Sequence, residues 1–195
     1  MAPDAQRWSS LHEQAEQAFA AGEAGRALPL ARQALEASVA ELGPERLEVA
    51  RCLATVGAVE SYLGHDEAAT RSLERALRLR EDAHGPEHPR VAAALLALGG
   101  HHRSEGRLGD SAPLLERALQ ILSAAEQPDP HQLARAALGL ATCYTYQRRF
   151  DRARALLAGA IELLERALGP ADPALAQPLN SLGCVLAAQE LHEQA

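Results

Sequence analysis

The sequence of 195 residues contains no lysine, few aromatic residues and no long apolar run. All 19 basic residues are arginines, and aromatic side chains make up only 3% of the chain. The formal net charge is −7, and the arginines form no basic stripe, which argues against nucleic acid as the partner. No apolar run approaches the roughly 18 residues of a membrane-spanning helix. We therefore expect a protein that binds neither nucleic acid nor a membrane.

Cysteine is also scarce, and its spacing excludes a metal-binding motif. Cys52, Cys143 and Cys184 lie far apart and are odd in number, so they are expected to be small buried hydrophobic residues in a reducing compartment. The N-terminal stretch lacks the apolar core of a signal peptide. The use of arginine alone, with abundant alanine, is typical of a GC-rich genome. These features predict a cytoplasmic protein, of bacterial origin.

The dominant pattern in the sequence is a repeat with a fixed period of 42 residues, which is the step from Gly43 to Gly85. The pattern appears in Gly43-Pro44, Gly85-Pro86, Gln127-Pro128 and Gly169-Pro170, and again in Ala34, Ala76, Ala118 and Ala160. A fixed period of this length indicates an array of stacked repeats. Because alanine and leucine dominate and β-branched residues are sparse, the repeats are expected to be helical.

Each repeat is predicted to be a helix, a turn and a second helix. Ala69, Leu73 and Ala76 are three or four residues apart and so share one helical face. Gly85 is expected to end that helix, and Pro89 to stand in the first turn of the next. The first helix of the chain is expected to have Ser9 or Ser10 as its N-cap. We predict one domain, 1–195, with repeats 8–43, 44–85, 86–127, 128–169 and an incomplete 170–195.

Small residues recur at one position of the period. Gly57, Gly99, Ala141 and Gly183 are separated by the same step, on the first helix of successive repeats. A missing or minimal side chain at a fixed place predicts close approach of a neighbouring helix.

The second repeat resembles a tetratricopeptide repeat through Leu53, Val56-Gly57, Gly64, Ala69 and Ala76. The long period is similar to that of the kinesin-light-chain class of these repeats. The resemblance implies an all-α fold, a right-handed superhelical solenoid of antiparallel helix pairs. Three residues depart from the family pattern. Arg148 and Glu190 replace the turn glycine, which predicts a less tight turn, and Ala137 replaces a large apolar residue.

In this family the first helices of the pairs line a concave groove that holds a partner segment. Carried over by position, the resemblance implies partner-binding residues on four of those helices, with Asn180 expected to bind a peptide backbone. The set is Arg51, Thr55, Tyr62, Leu96, Arg103, Arg135, Leu138, Thr142, Tyr146, Gln177 and Asn180.

The titratable residues do not predict catalysis or metal binding. His84 and His88 flank Gly85-Pro86, and are not expected to share a helical face. His101 and His102 are adjacent, so they are not expected both to point inward. No phosphate-binding glycine loop or nucleophile motif is present. We expect no enzyme activity, no metal and no cofactor.

Two functional classes remain. The first is a scaffold that binds a protein or peptide, with arginine and tyrosine on the groove favouring an acidic segment that carries an apolar or aromatic anchor. The second is a self-associating array whose ends stack on other copies. A stripe of Leu179, Leu182 and Leu186 in the incomplete last repeat is not expected to face water. Either the natural chain continues, or two copies cover each other's ends.

Overall fold

The computed structural model describes residues 7–193, and these residues are helical almost throughout, with no strand among them. This confirms the predicted all-α class. The helices are α1 (Arg7–Ala20), α2 (Ala24–Leu42), α3 (Leu47–Tyr62), α4 (Asp66–His84), α5 (Pro89–Ser104), α6 (Leu108–Ser123), α7 (Pro130–Tyr146), α8 (Phe150–Leu168) and α9 (Ala176–Glu193), with a single 3-10 turn, Pro173–Leu175, before α9.

The chain divides into two compact units, an N-terminal unit that ends at His101 and a C-terminal unit that begins at His102, so the division falls inside α5. In the N-terminal unit α1 packs on α2, α2 on α3 and α3 on α4. In the C-terminal unit α6 packs on α7, α7 on α8 and α8 on α9. Within each unit the helices therefore form the stacked pairs that the period predicted. The exact repeat boundaries and the single domain remain a prediction.

The turns inside the helix pairs share one backbone geometry. The amides of Glu23, His65, Arg107 and Arg149 donate to the carbonyl oxygens five residues earlier at 2.8–2.9 Å, which is the closing hydrogen bond of a Schellman motif. Glycine provides the positive φ of the first three turns. In the fourth turn Arg148 adopts a φ of 58°, so the expectation of a less tight turn is wrong.

The second helices of the pairs end where the predicted glycines stand. Gly43, Gly85 and Gly169 have φ of 90°, 85° and 95°, and their amides donate to the last turn of the preceding helix. Gln127 occupies the same repeat position, but α6 already ends at Ser123. A glutamine is disfavoured at the positive φ of this cap, so the helix stops before it reaches that residue.

Helix starts agree with the sequence at α5 and disagree at α1. Pro89 is the first residue of α5, as predicted. Ser9 and Ser10 lie inside α1, which begins by Arg7, so their assignment as N-caps is wrong. The Asp129 side chain caps α7 by accepting hydrogen bonds from the amides of His131 at 2.9 Å and Gln132 at 3.3 Å. Together with the Gln132 side chain, which is the main cause, these bonds lower the pKa of Asp129.

The predicted close approach holds at one glycine and fails at another. A Cβ on Gly57 would lie 2.7 Å from Cγ of Leu73, so α3 and α4 meet closely there. A Cβ on Gly183 would meet nothing within 4 Å, so Gly183 is not a contact position. Gly139, which the sequence pattern did not select, would place a Cβ 2.9 Å from Cδ1 of Leu115.

Two of the three cysteines behave as expected. Cys52 and Cys143 are buried, and burial raises the pKa of the Cys52 thiol. Cys184 is exposed on α9, which corrects the prediction that all three are core residues. None of the helices among residues 7–193 has the length and apolar character required to traverse a bilayer.

Candidate partner-binding site

The predicted partner-binding residues lie on α3, α5, α7 and α9, and all but one reach the surface at least in part. Leu96 is only 5% exposed, so it is a core residue, and its selection as a contact residue is corrected. The half-buried members are Thr55, Leu138 and Thr142; the exposed members are Arg51, Tyr62, Arg103, Arg135, Tyr146, Gln177 and Asn180.

Three of these residues line one pocket between α7 and α9. Leu138, Thr142 and Tyr146 recur every four residues along α7 and form one side of a pocket of about 290 Å³. On the other side stand Ser181, Cys184 and Val185 of α9, and Leu157 of α8 lies beneath. Since Leu157 and Val185 are 0% and 4% exposed, the floor of the pocket is part of the core.

Two threonines are among the residues that line this pocket. The Thr142 hydroxyl donates to the Leu138 carbonyl oxygen at 2.9 Å, and the Thr145 hydroxyl donates to that of Ala141 at 2.7 Å. Both hydroxyl protons are thus used inside α7, while the oxygen lone pairs remain able to accept a hydrogen bond. Tyr146 is 74% exposed, so its ring is available to a bound group.

A second pocket, of about 460 Å³, adjoins the first and shares Thr145 and Tyr146 with it. Its wall includes Phe150 of α8 and Leu191 of α9. Arg148 Nη1 donates to His192 Nδ1 at 2.6 Å at one edge, and the His192 ring lies 5.8 Å from that of Phe150. Tyr146 therefore separates two neighbouring cavities, both open to solvent.

Sequence reasoning missed the α9 side of these pockets. Ser181, Cys184, Ala188 and Leu191 follow one another at three- or four-residue steps, a signal for one helical face that the family positions alone did not select. The predicted α9 residues Gln177 and Asn180 do not line either pocket. They stand one turn before Ser181 and Cys184, and extend the same faces of α9.

In the N-terminal unit the predicted residues are less concentrated. The exposed Tyr62 ring packs edge-on against Phe19 with ring centroids 5.7 Å apart. Arg51 lies near the start of α3 and lines a separate pocket with side chains of α4 and α5.

The histidines have structural partners. His84 and His88 stack with ring centroids 4.7 Å apart across the α4–α5 turn. His101 and His102 are both buried, at 3% and 5% exposure, so the expectation that one points outward is wrong. His101 is held by the hydroxyls of Ser61 at 2.8 Å and Thr70 at 3.0 Å, whereas His102 Nδ1 lies 3.1 Å from Glu105. Local polar partners for each ring permit both to be inside.

The molecule thus defined is a helical repeat protein with an open, partly apolar surface between the first helices of successive pairs. The tetratricopeptide repeat family model matches residues 9–82, 68–124 and 132–195. The chain belongs to the tetratricopeptide repeat family.

Solved structures show the same fold at low sequence identity. A putative kinesin light chain with nearly identical TPR-like repeats from Podosopora anserina is 19% identical, with a TM-score of 0.79, over 100% of this chain and 92% of that one. BtubC from P. vanneervenii is 23% identical with a TM-score of 0.76, over 85% and 66% of the two chains. YrrB, described as a TPR protein with an unusual peptide-binding site, is 15% identical with a TM-score of 0.56, over 95% and 91%. Among curated proteins, none matches the sequence.

Proposed function

We propose that the protein is a scaffold that binds a peptide segment of a partner protein across α7 and α9, with the segment's anchor side chain beside Tyr146. The observation that carries the proposal is the pair of adjoining pockets on either side of this tyrosine. Burial of an aromatic or aliphatic anchor there would cover exposed apolar surface of α9 and the Tyr146 ring. Tyrosine and arginine are the residue types that most often dominate interface energy. The description of YrrB as peptide-binding is consistent with such a role.

The charges around the pockets support an acidic segment. Arg135 is exposed near the start of α7 and has no carboxylate partner among residues 7–193, and Arg148 follows the end of the helix. The two residues are about 20 Å apart along the helix at 1.5 Å per residue. An extended peptide covers that distance in about six residues. We therefore expect carboxylates about six residues apart on either side of the anchor.

The test starts from a displayed library of random peptides selected against the whole chain, followed by calorimetry with the best binder. We expect Tyr146→Ala to weaken binding by about 30-fold, which corresponds to the roughly 2 kcal/mol of an interface hot spot. Tyr62→Ala is the comparison variant and should weaken binding less than Tyr146→Ala, since Tyr62 occupies the same repeat position on α3 and lines neither pocket. Arg135→Glu should also weaken the binding of an acidic peptide, and this loss should grow as the salt concentration is lowered. Unchanged binding by Tyr146→Ala and Arg135→Glu, both folded, contradicts the proposal.

The wider set of predicted contact residues, from Arg51 to Asn180 without Leu96, remains a prediction. Its members outside α7 should contribute less to binding than Tyr146, because they line neither pocket beside that ring. We propose that the protein has no enzyme activity and uses no cofactor or metal.

A second candidate function, self-association, is favoured by α9. Leu179 and Leu186, seven residues apart on one face, are 50% and 43% exposed, while Leu182 is half-buried and packs on the core of the C-terminal unit. A second copy that covered this face would remove both leucines from water. Light scattering across a dilution series tests it. A dimer that is lost in Leu179→Glu/Leu186→Glu and kept in Tyr146→Ala supports self-association, whereas a monomer at every concentration contradicts it.

A further inference from the structure

In the N-terminal unit there is a pocket of about 230 Å³, and every polar residue that lines it is basic. It is formed by Leu47 and Arg51 at the start of α3, Arg80 and His84 near the end of α4, and Arg90 at the start of α5. No carboxylate among residues 7–193 lines it. This is unexpected in a chain whose formal net charge is −7.

None of the three arginines of the pocket forms an ion pair of 4.0 Å or less with an acidic side chain among residues 7–193. Arg80 Nη1 donates to the backbone carbonyl oxygen of Arg90 at 3.0 Å, a bond that brings no negative charge. On the same helix, outside the pocket, the pattern is different. Arg71 lies 3.6 Å from Glu67, and Arg78 lies 3.8 Å from Glu74.

The electrostatics of the pocket agree with its lining. Burial lowers the pKa of Arg80, and the nearby charge of Arg51 lowers it further. Desolvation lowers the pKa of His84, with further contributions from His88, Arg90 and Arg80. Positive charges crowd one another here, and an anion between them would relieve that repulsion.

Comparison along the period shows that this cluster belongs to one repeat. At the position of Arg80 the other second helices carry Ser38, Leu122 and Leu164, which are 0%, 3% and 1% exposed. Arg80 thus places a charge where its counterparts are core residues. A partly buried cation without a counter-ion is unfavourable for stability, and such local breaks of a pattern are expected at functional sites.

We propose that this pocket binds a tetrahedral dianion, the chemistry of a phosphate monoester. Guanidinium groups bind such oxygens through forked hydrogen bonds, and three arginines line this space. A single carboxylate would neutralise one of the three charges, whereas a dianion neutralises two. The volume equals that of about eight waters at roughly 30 Å³ each, which accommodates a phosphoryl group with a few attached atoms. The site is in the N-terminal unit and does not rest on the peptide-binding proposal.

The experiment measures thermal unfolding of the whole chain in inorganic phosphate and, at equal ionic strength, in sodium chloride. A ligand that binds only the folded state raises the unfolding midpoint with concentration. We expect phosphate and sulfate, both tetrahedral anions, to raise the midpoint of the parent, and chloride and acetate not to do so. No difference between phosphate and chloride overturns the proposal.

The key variant is Arg80→Leu, which installs the residue found at the same position of α6 and α8. It is expected to fold, and to weaken phosphate binding at least tenfold. Arg78→Leu is the matched control on α4, because Arg78 is exposed and outside the pocket, and it should respond to phosphate as the parent does. If Arg80→Leu responds to phosphate as strongly as the parent, the pocket is not the site.

A further comparison identifies the source of the phosphoryl group. Calorimetry compares the binding of two ligands to the whole chain. One is a phosphoserine peptide with alanine and glycine flanks, and the other is free phosphoserine. Tighter binding of the peptide by tenfold or more assigns the pocket to a phosphorylated segment of a partner, and equal affinities assign it to a small phosphorylated molecule. Failure of both to bind, with phosphate also inactive, overturns the proposal.

Discussion

The α3–α4 hairpin and the α7–α8 hairpin occupy the same repeat positions two periods apart, and they reach the same turn geometry with different residues. Gly64 adopts a φ of 74° in the first turn, and Arg148 adopts 58° in the second. The closing hydrogen bonds, from His65 to Glu60 and from Arg149 to Tyr144, are 2.9 and 2.8 Å. The packing of the two helices therefore determines the turn, and the residue at its centre only changes its energy.

A partly buried polar contact also keeps its place while its residues change. In the N-terminal unit Arg32 Nη2 donates to Glu60 at 2.8 Å, and at the equivalent positions of the C-terminal unit Tyr144 donates to Glu116 at 2.6 Å. An ion pair is replaced by a phenol–carboxylate hydrogen bond, in which Glu116 is the main cause of the raised pKa of Tyr144. The position requires a satisfied polar contact between helices, and either chemistry provides it.

The hairpins differ in how completely the space around them is filled. Leu53 of α3 is replaced by Ala137 on α7, and Arg75 of α4 by Gly159 on α8. A pocket of about 430 Å³ lies beside Ala137 and Gly159. The two small residues of the α7–α8 hairpin thus line a cavity.

The largest expected effect comes from truncating a buried leucine at equivalent repeat positions of the two hairpins. Leu73→Ala and Leu157→Ala each remove a buried side chain that is 2% or 0% exposed, and each should cost about 2–5 kcal/mol. Leu73→Ala should lower the free energy of unfolding more, because Leu73 packs against Gly57, whereas Leu157 borders an open pocket that water can enter. Urea unfolding followed by circular dichroism measures both. A larger loss for Leu157→Ala would contradict this difference between the hairpins.

The next effect tests the close approach of α3 to α4. Gly57→Ala places a methyl group 2.7 Å from Leu73 and should cost about 1–3 kcal/mol through overpacking. Gly100→Ala is the control, since nothing lies within 4 Å of its added Cβ, and it should stabilise the protein by up to about 1 kcal/mol. Thermal unfolding of the two variants should move the midpoint in opposite directions. Shifts of the unfolding midpoint in the same direction would contradict the requirement for glycine at position 57 in the close approach of α3 to α4.

A smaller effect is expected at the turns. Arg148→Gly should stabilise the protein by about 1 kcal/mol, because it relieves a positive φ that arginine rarely adopts, and Gly64→Ala should destabilise it by a similar amount. Arg148→Ala retains the strained φ but loses the contact with His192, and so separates the two contributions. Chemical denaturation provides the free energies. If Arg148→Gly is no more stable than Arg148→Ala, the strain is not significant.

The smallest effect concerns pH and His12, which occupies the repeat position that Leu138 has on α7. Burial lowers the pKa of His12 below 6.5, against an opposing effect of Glu16, and Arg51 lowers it further. Between the lowered value and 6.5 the unfolded chain holds more protons, so stability should fall as the pH decreases through that window. Trp8 is the single tryptophan of the chain and lies 6.4 Å from the His12 ring, so its fluorescence reports the unfolding. His12→Leu should reduce the pH dependence, and an unchanged profile would contradict the assignment.

The fold was accessible from the sequence because its determinants are local. Gly43, Gly85 and Gly169 end helices, and Pro89 begins one, through backbone preferences that act within a turn. The wrong expectations have physical reasons too. Arg148 keeps its turn because tertiary packing outweighs about 1 kcal/mol of strain. Ser9 and Ser10 are good caps by type, but the helix starts before them.

The candidate site was only partly accessible. Leu138, Thr142 and Tyr146 lie on one helical face, and the structure places them in one pocket. Their α9 neighbours depend on how α9 packs on α7, which no local spacing encodes. Arg80 was not selected, because it lies on a second helix, where the family pattern places core residues.

The stacking of helices has a consequence for how the chain folds. Within each unit the contacting helices are first or second neighbours along the sequence, as for α1 with α3 and α7 with α9. Each contact closes a short loop, and proteins dominated by such local contacts fold in microseconds to milliseconds. Folding can then begin at more than one helix pair and extend to the next. The same locality makes the insertion or removal of one whole repeat a milder change than a shift of a single residue inside a helix.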